Sequence, residues 1–349
     1  LFRTFPLGSE VVSAQNIEIV QALKNDESKF RIANLALSTP IGAAGYNYYA
    51  QDGLESIKGG GGIWMNDYIA YLLIAEQTLP AKLYGILNGK YVVSSSQLDD
   101  PSLIPKGSFK VCETCRIQET YGPYLYENTL ALPRAYLVDK SLLLVGNDAD
   151  KNQFMYEVLV RLLNPSSAVV IEGKERIAEY SDEELSKFSA IALLPGSVAQ
   201  QDGLKLQSYV NKGGILIPDV TKDESTVSVD ALNAVLNGNT TQVNEVVIQY
   251  PTFGEASIDT NNQKGWLVLS ERYAYIPGWK DVQNPDNTIY PANKVISALW
   301  LSGNQKQMQL AYTPESVRNG LFISLFSIVI VISGFVIYWV RKNNAKIRT

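Results

Sequence analysis

Histidine is absent from this 349-residue chain, and cysteine occurs twice. Those two facts close several routes. No Ser-His-Asp or Cys-His site can be assembled. A structural zinc site takes four Cys or His ligands, which the chain cannot supply. Carboxylate ligation of calcium or magnesium stays open. Charge is also scarce. Charged residues make up 19% against 46% hydrophobic, a balance of folded domains rather than of a disordered chain. The net charge is −5 and no basic block precedes residue 341, so the footprint of a nucleic-acid binder is missing. Leu1 opens the chain without a charged n-region, apolar h-region or cleavage site. We therefore read it as a fragment or processed product of a longer protein.

One long apolar run is present. Residues Gly320 to Val340 read GLFISLFSIVIVISGFVIYWV, without a charge. At about 1.5 Å per helical residue such a run crosses a hydrocarbon core of roughly 30 Å. Tyr338 and Trp339 stand where interfacial aromatics are enriched, and Arg341, Lys342, Lys346 and Arg348 follow with no acid. The positive-inside rule then makes 341–349 a cytoplasmic tail of a single-pass cell-membrane protein and puts everything before Gly320 outside.

Three soluble parts precede the run. Residues 1–140 mix short amphipathic helices (Asn16 to Lys24, Trp64 to Gln77) with strand-like runs (Phe30 to Leu37, Tyr84 to Ser95, Gly122 to Tyr126, Ala135 to Val138). Residues 141–222 alternate β-α-β-α-β-α-β, with strands at 141–146, 167–173, 190–196 and 214–219, which predicts a parallel sheet covered by helices. Ser181 is the expected N-cap of the helix at 181–188. Residues 223–242 read as a polar linker with a short helix. Residues 243–314 show five strand-like runs, predicting a small β-sandwich. The expected fold class is thus α/β plus all-β. A Rossmann- or flavodoxin-like parallel sheet is inserted next to a β-sandwich, with one C-terminal transmembrane helix.

Four phrases carry a family resemblance: YGILNGKYVV (84–93), YENTLALPRAYLV (126–138), GWLVLSERYAYIPGWK (265–280) and AYTP (311–314). In their order, and with the terminal apolar run, the chain resembles the YfhO-type membrane proteins. Those proteins are similar to GT-C glycosyltransferases, which transfer sugars from polyprenyl-phosphate donors outside the membrane. The resemblance covers about residues 1–140 and 243–340. It implies an extracytoplasmic accessory region that binds an acceptor glycan, a lipid-linked sugar or another envelope subunit. The catalytic acids of such enzymes lie near N-terminal membrane helices, so no catalytic residue is carried over. Two departures stand out. The family's hairpin after "PGWK" is replaced by DVQNPDNTIYPAN, and residues 141–222 read as an insertion. The insertion resembles class I glutamine amidotransferase-like domains, but its strand ends in LLPGS (193–197), without their cysteine nucleophile.

Candidate sites remain. Asp148, Asp150 and Asp219 stand with Ser197 at the carboxyl ends of the expected parallel strands, where open α/β sheets bind ligands. Asp and Asn are also ordinary loop and cap residues there. Cys112 and Cys115, in VCETCR, suit a small-loop disulfide in an oxidising compartment; two free thiols, or a redox CxxC motif, which would open a helix, are the alternatives. Lys58 and the glycines 59–62 could cradle a phosphate or simply form a loop. Tyr46, Tyr48, Tyr49, Tyr273, Tyr275 and Trp279 could stack on sugars or fill the core. Asn239 opens the one N-x-S/T sequon. No cofactor is expected. The alternative to the accessory-region reading is a non-enzymatic, membrane-anchored envelope structural or interaction subunit.

Overall fold

A computed structural model describes residues 18–34, 53–57, 66–94, 96–109, 124–217, 226–238, 243–252 and 254–346. The protein is mixed α/β, built on three sheets and closed by one long apolar helix. In chain order the first elements are α1 (Glu18–Lys24), β1 (Arg31–Asn34), β2 (Glu55–Ser56), α2 (Asn66–Gln77), α3 (Pro80–Ile86), β3 (Gly89–Ser94), β4 (Leu103–Ser108) and β5 (Tyr124–Asn128). Then come β6 (Ala135–Val138), β7 (Lys140–Val145), α4 (Asp148–Arg161), β8 (Ala168–Glu172), α5 (Asp182–Leu185), β9 (Ala190–Leu193), α6 (Gly203–Asn211), β10 (Ile215–Ile217) and α7 (Thr226–Leu236). The last are β11 (Asn244–Glu245), β12 (Ile248–Gln249), β13 (Glu255–Ile258), β14 (Lys264–Leu269), β15 (Trp279–Asp281), β16 (Tyr290–Ala292), β17 (Ile296–Ser302), β18 (Met308–Tyr312) and α8 (Glu315–Lys346).

Local chemistry sets the helix ends. Ser181 caps α5 in a reciprocal box. Its hydroxyl accepts from the Glu184 amide at 3.1 Å, and the Glu184 carboxylate accepts from the Ser181 amide at 2.8 Å. Asn147 caps α4 by accepting from the Asp150 amide at 3.0 Å. The run from Tyr84, expected as a strand, begins instead as the end of α3. Pro80 opens that helix with a preset φ, and Asn88 closes it in the left-handed region at φ 64°. Only Gly89 onward is extended.

The central sheet has nine strands in the order β10-β9-β7-β8-β16-β17-β14-β6-β11. The first four are mutually parallel, and every later pairing is antiparallel. Strands from 141–222, from 243–314 and from before residue 140 therefore share one hydrogen-bonded sheet. The join between its two halves is Asn293. Its backbone amide donates to the Val170 carbonyl and its side-chain carbonyl accepts from the Val170 amide, both at 2.9 Å. The side chain thus completes the β8 ladder where β16 turns away. Helix α7, within the stretch expected as a linker, buries Leu232, Val235 and Leu236 in the same core as the parallel strands.

The antiparallel half shows period-two packing. Trp266 and Val268 of β14 join the main core, while Leu267 and Leu269 face a second core. That second core is shared with a four-stranded sheet, β12-β13-β18-β15, through Ile248, Ile258, Met308 and Leu310. The expected single strand at 244–249 divides between the two sheets as β11 and β12. The remaining sheet, β2-β1-β3-β5-β4, holds α1 through Ile19, Val20 and Leu23.

Helix α8 leaves β18 after two residues, Thr313 and Pro314. Its stretch Glu315–Trp339 is long and apolar enough to cross a membrane, and its most apolar window is not buried against the rest of the chain. The exit is clasped. The Thr313 amide donates to the Gly278 carbonyl at 2.7 Å. Gly278 has φ 115°, and a Cβ there would lie 2.8 Å from the Pro314 Cα. Only glycine fits that backbone without a shift. Beside it, the Trp279 ring packs on Tyr312 at 5.7 Å and on Tyr273 at 4.2 Å.

Candidate functional site

The predicted edge is built as the strand order implies, but Asp148 and Asp150 are engaged. Asp148 is exposed and pairs with Lys151 at 3.0 Å; the Lys151 amine also donates to the Gly173 carbonyl at 2.6 Å. The Asp150 carboxylate accepts from the Asn147 side chain at 2.7 Å, within the cap of α4. Ser197 is buried and its hydroxyl has no hydrogen-bond partner. Between the ends of β7 and β9, a Cβ on Gly146 would lie 2.6 Å from the Leu194 Cβ, so the two loops are already in close contact. Asp219 lies outside the described residues, as do Cys112, Cys115, Asn239, Tyr46, Tyr48, Tyr49 and the 58–62 run. Among the described residues no group of three or more carboxylates gathers as a metal site.

Sequence reasoning did not anticipate two charged clusters. The first lies between the five-stranded sheet and the central one. The Arg134 guanidinium is buried. It donates to the Asn88 side chain at 2.9 Å, to Glu271 at 2.9 Å and to Glu55. Arg31 reaches the same Glu271 oxygen at 2.8 Å, and the Tyr250 hydroxyl donates to it at 2.8 Å. Burial pushes the Glu271 carboxyl up, yet the guanidinium groups of Arg31 and Arg134 outweigh this and hold it below its ordinary range. Asn88, Arg134 and Glu271 come from three different phrases that carry the family resemblance. The Gly278–Pro314 clasp joins the third phrase to the fourth. The four phrases thus meet as framework.

The second cluster opens on a cleft of about 300 Å³. The start of α2 supplies Asn66, Asp67 and Tyr68. The segment after β14 supplies Arg272 and Tyr275, and the turn before β17 supplies Lys294 and Val295. Lys294 sits at φ 72° in that turn and is almost wholly buried. Its amine lies 3.1 Å from Asp67 and 3.8 Å from Glu172, and it donates to the Asn152 side chain. The Tyr275 hydroxyl donates to Glu172 at 2.8 Å. Burial, with Glu172 beside it, pushes the Tyr275 phenol well up, so it stays a neutral donor. Arg272, half-buried, differs from the buried Arg134 and Lys294. Its guanidinium rests 4.2 Å from the Tyr68 ring centre and makes no carboxylate pair among the described residues. Glu172 ends β8, so this cleft stands at the carboxyl edge of the parallel strands.

The cleft offers a guanidinium with free donors, an amide, a shared carboxylate and tyrosine faces. That set is chemically suited to hydroxylated or anionic groups. Among the described residues it holds no nucleophile and base pair. Of the aromatic candidates, Tyr275 lines the cleft, Tyr273 is core, and Trp279 is sandwiched between Tyr273 and Tyr312. The signal available in sequence was the pair Glu271-Arg272, two opposite charges closing a buried strand. Comparison with protein-family models, curated proteins and solved structures gave no match.

Proposed function

We propose that this chain is the extracytoplasmic accessory region of a YfhO-type, GT-C-like membrane glycosyltransferase, acting with polyprenyl-linked sugars in cell-envelope glycan assembly. It contributes binding rather than chemistry. The observation that carries this reading is the Arg272–Tyr275–Asp67 cleft, whose donors and rings suit a sugar acceptor, above all an acidic one. In the same proposal the four parallel strands are a Rossmann-like unit without a nucleophile, and the two facing sheets are a small sandwich. The body lies outside the cell membrane and the basic tail inside.

The test uses the full chain in lipid nanodiscs on an array of neutral and acidic oligosaccharides. We expect acidic glycans to bind, and Arg272→Gln to weaken them at least about tenfold, the loss of one charge-assisted hydrogen bond. No binding to any glycan, or binding indifferent to Arg272, defeats the reading. One observation favours a second reading, a non-enzymatic envelope structural or interaction subunit. Three of the four phrases behind the family resemblance, with Glu271 and Gly278 of the other, build the frame rather than the cleft. Glycan binding separates the two.

A further inference from the structure

A second cleft, of about 400 Å³, lies on a different part of the molecule. It is bounded by Lys82 of α3, by the loop after β5, by the residues after α4 and by Val243. Leu130, Ala131, Leu132, Leu163, Pro165 and Val243 make most of its wall apolar. The other polar groups are occupied. The Thr129 hydroxyl donates to the Ser102 carbonyl at 3.0 Å, the Asn164 amide donates to the Gly238 carbonyl at 2.8 Å, and the Ser166 hydroxyl donates to the Asn164 side chain at 2.7 Å.

Lys82 is the exception. Its amine has three donors. It makes one long hydrogen bond, 3.3 Å, to the Val160 carbonyl near the end of α4, and among the described residues it has no carboxylate partner. The bond to Val160 suits a cation at a helix C-terminus. Half-buried, the amine has two donors left over beside the apolar wall of the cleft. Burial accordingly lowers the amine to about 8. Leu130, 44% exposed, stands with its side chain open to solvent among the lining residues, so the cleft can be reached.

We propose that this cleft binds a small anionic amphiphile, with the anionic head paired to the Lys82 amine and a hydrocarbon body lying against Leu130, Leu132 and Leu163. The shared chemistry is a carboxylate or phosphate head on a single chain. The volume is at the lower end of the roughly 300–1,000 Å³ that ligand sites occupy, which suits one short chain. This site does not depend on the glycan reading.

The test uses the full chain in nanodiscs, with empty nanodiscs as background, titrated with octanoate, octyl phosphate and octanol. Binding is read by calorimetry. Occupancy of the site is read by acetylating lysines and mapping them by mass spectrometry. We expect Lys82 to be protected about tenfold by an octyl anion while the exposed Lys280 is unaffected. Lys82→Gln should abolish the protecting ligand's binding. Should that variant fail to fold, Leu130→Asp, at the exposed rim, places a repelling carboxylate at the site and decides instead. Preference for octanoate would identify a fatty-acid-like source, and preference for octyl phosphate a phosphorylated lipid. Equal binding of octanol, an unprotected Lys82, no binding of either anion, or unchanged binding in Leu130→Asp would overturn the proposal.

Discussion

The two charged clusters use the same residue types for opposite ends. Around Arg134, every charge faces a partner within the protein: Arg31 and Arg134 meet Glu271, and Arg134 also holds Glu55 and Asn88. Around Lys294 the central amine is satisfied, yet Arg272 at its margin rests only on a tyrosine ring. A closed network fixes one sheet against another. A network left open on one side at a cleft has donors to give to a ligand. The difference lies in the last unpaired group, not in the number of charges.

Breaking the closed network should have the largest effect. Arg134→Met leaves Glu271 and Glu55 without their shared guanidinium, and removing one partner of a buried pair costs about 3–5 kcal/mol. Urea unfolding of the full chain in detergent measures it. A loss under 1 kcal/mol would show that the cluster does not hold the sheets together.

Acid should act next, through the same network. The Glu271 carboxyl is held below its ordinary range in the folded protein. Asp26 is too, because Lys90, Ser28 and Tyr91 outweigh the upward push of burial. Carboxyls depressed by folding contribute stability that is present above their unfolded values and is lost as pH falls through the folded ones. Stability should therefore decline as pH drops below about 4. A pH series of thermal midpoints reads this, and Glu271→Gln should flatten part of the decline. An unaltered slope in that variant would assign the acid sensitivity elsewhere.

The smallest effect on stability is expected at the open cluster. Arg272→Gln removes a cation with no buried charge to orphan, so stability should change by no more than about 0.5 kcal/mol. Thermal unfolding checks it, beside the loss of glycan binding. A large destabilisation would make Arg272 framework, like Arg134, and erase the contrast between the clusters.

Patterns read along the chain anticipated what depends on neighbours in sequence. The alternating segments from Lys140 to Ile217, the Ser181 cap and the apolar terminal helix are all short-range signals. What escaped them was partnership. Nothing in DVQNPDNTIYPAN announces that Asn293 will stand in for a strand against Val170, joining the two halves of the central sheet. Nor does one short strand-like run show that Asn244–Glu245 and Ile248–Gln249 will enter different sheets. The cleft fared similarly. The carboxyl edge of the parallel strands was legible from the β-α alternation. Asp67, however, is brought to Arg272 and Lys294 from more than two hundred residues away, and no local spacing encodes such a meeting.

The clasp at Gly278 has a bearing on how the whole molecule moves. Two residues separate β18 from α8, and a backbone hydrogen bond plus a glycine–proline contact closes that gap, so no free linker lies between body and helix. If the helix is seated in a bilayer, the rest of the protein inherits its tilt. The openings of both clefts are then held at set heights and headings over the lipid surface. A tethered ligand of fixed reach would find them by sideways diffusion in two dimensions, without waiting for the domain to turn.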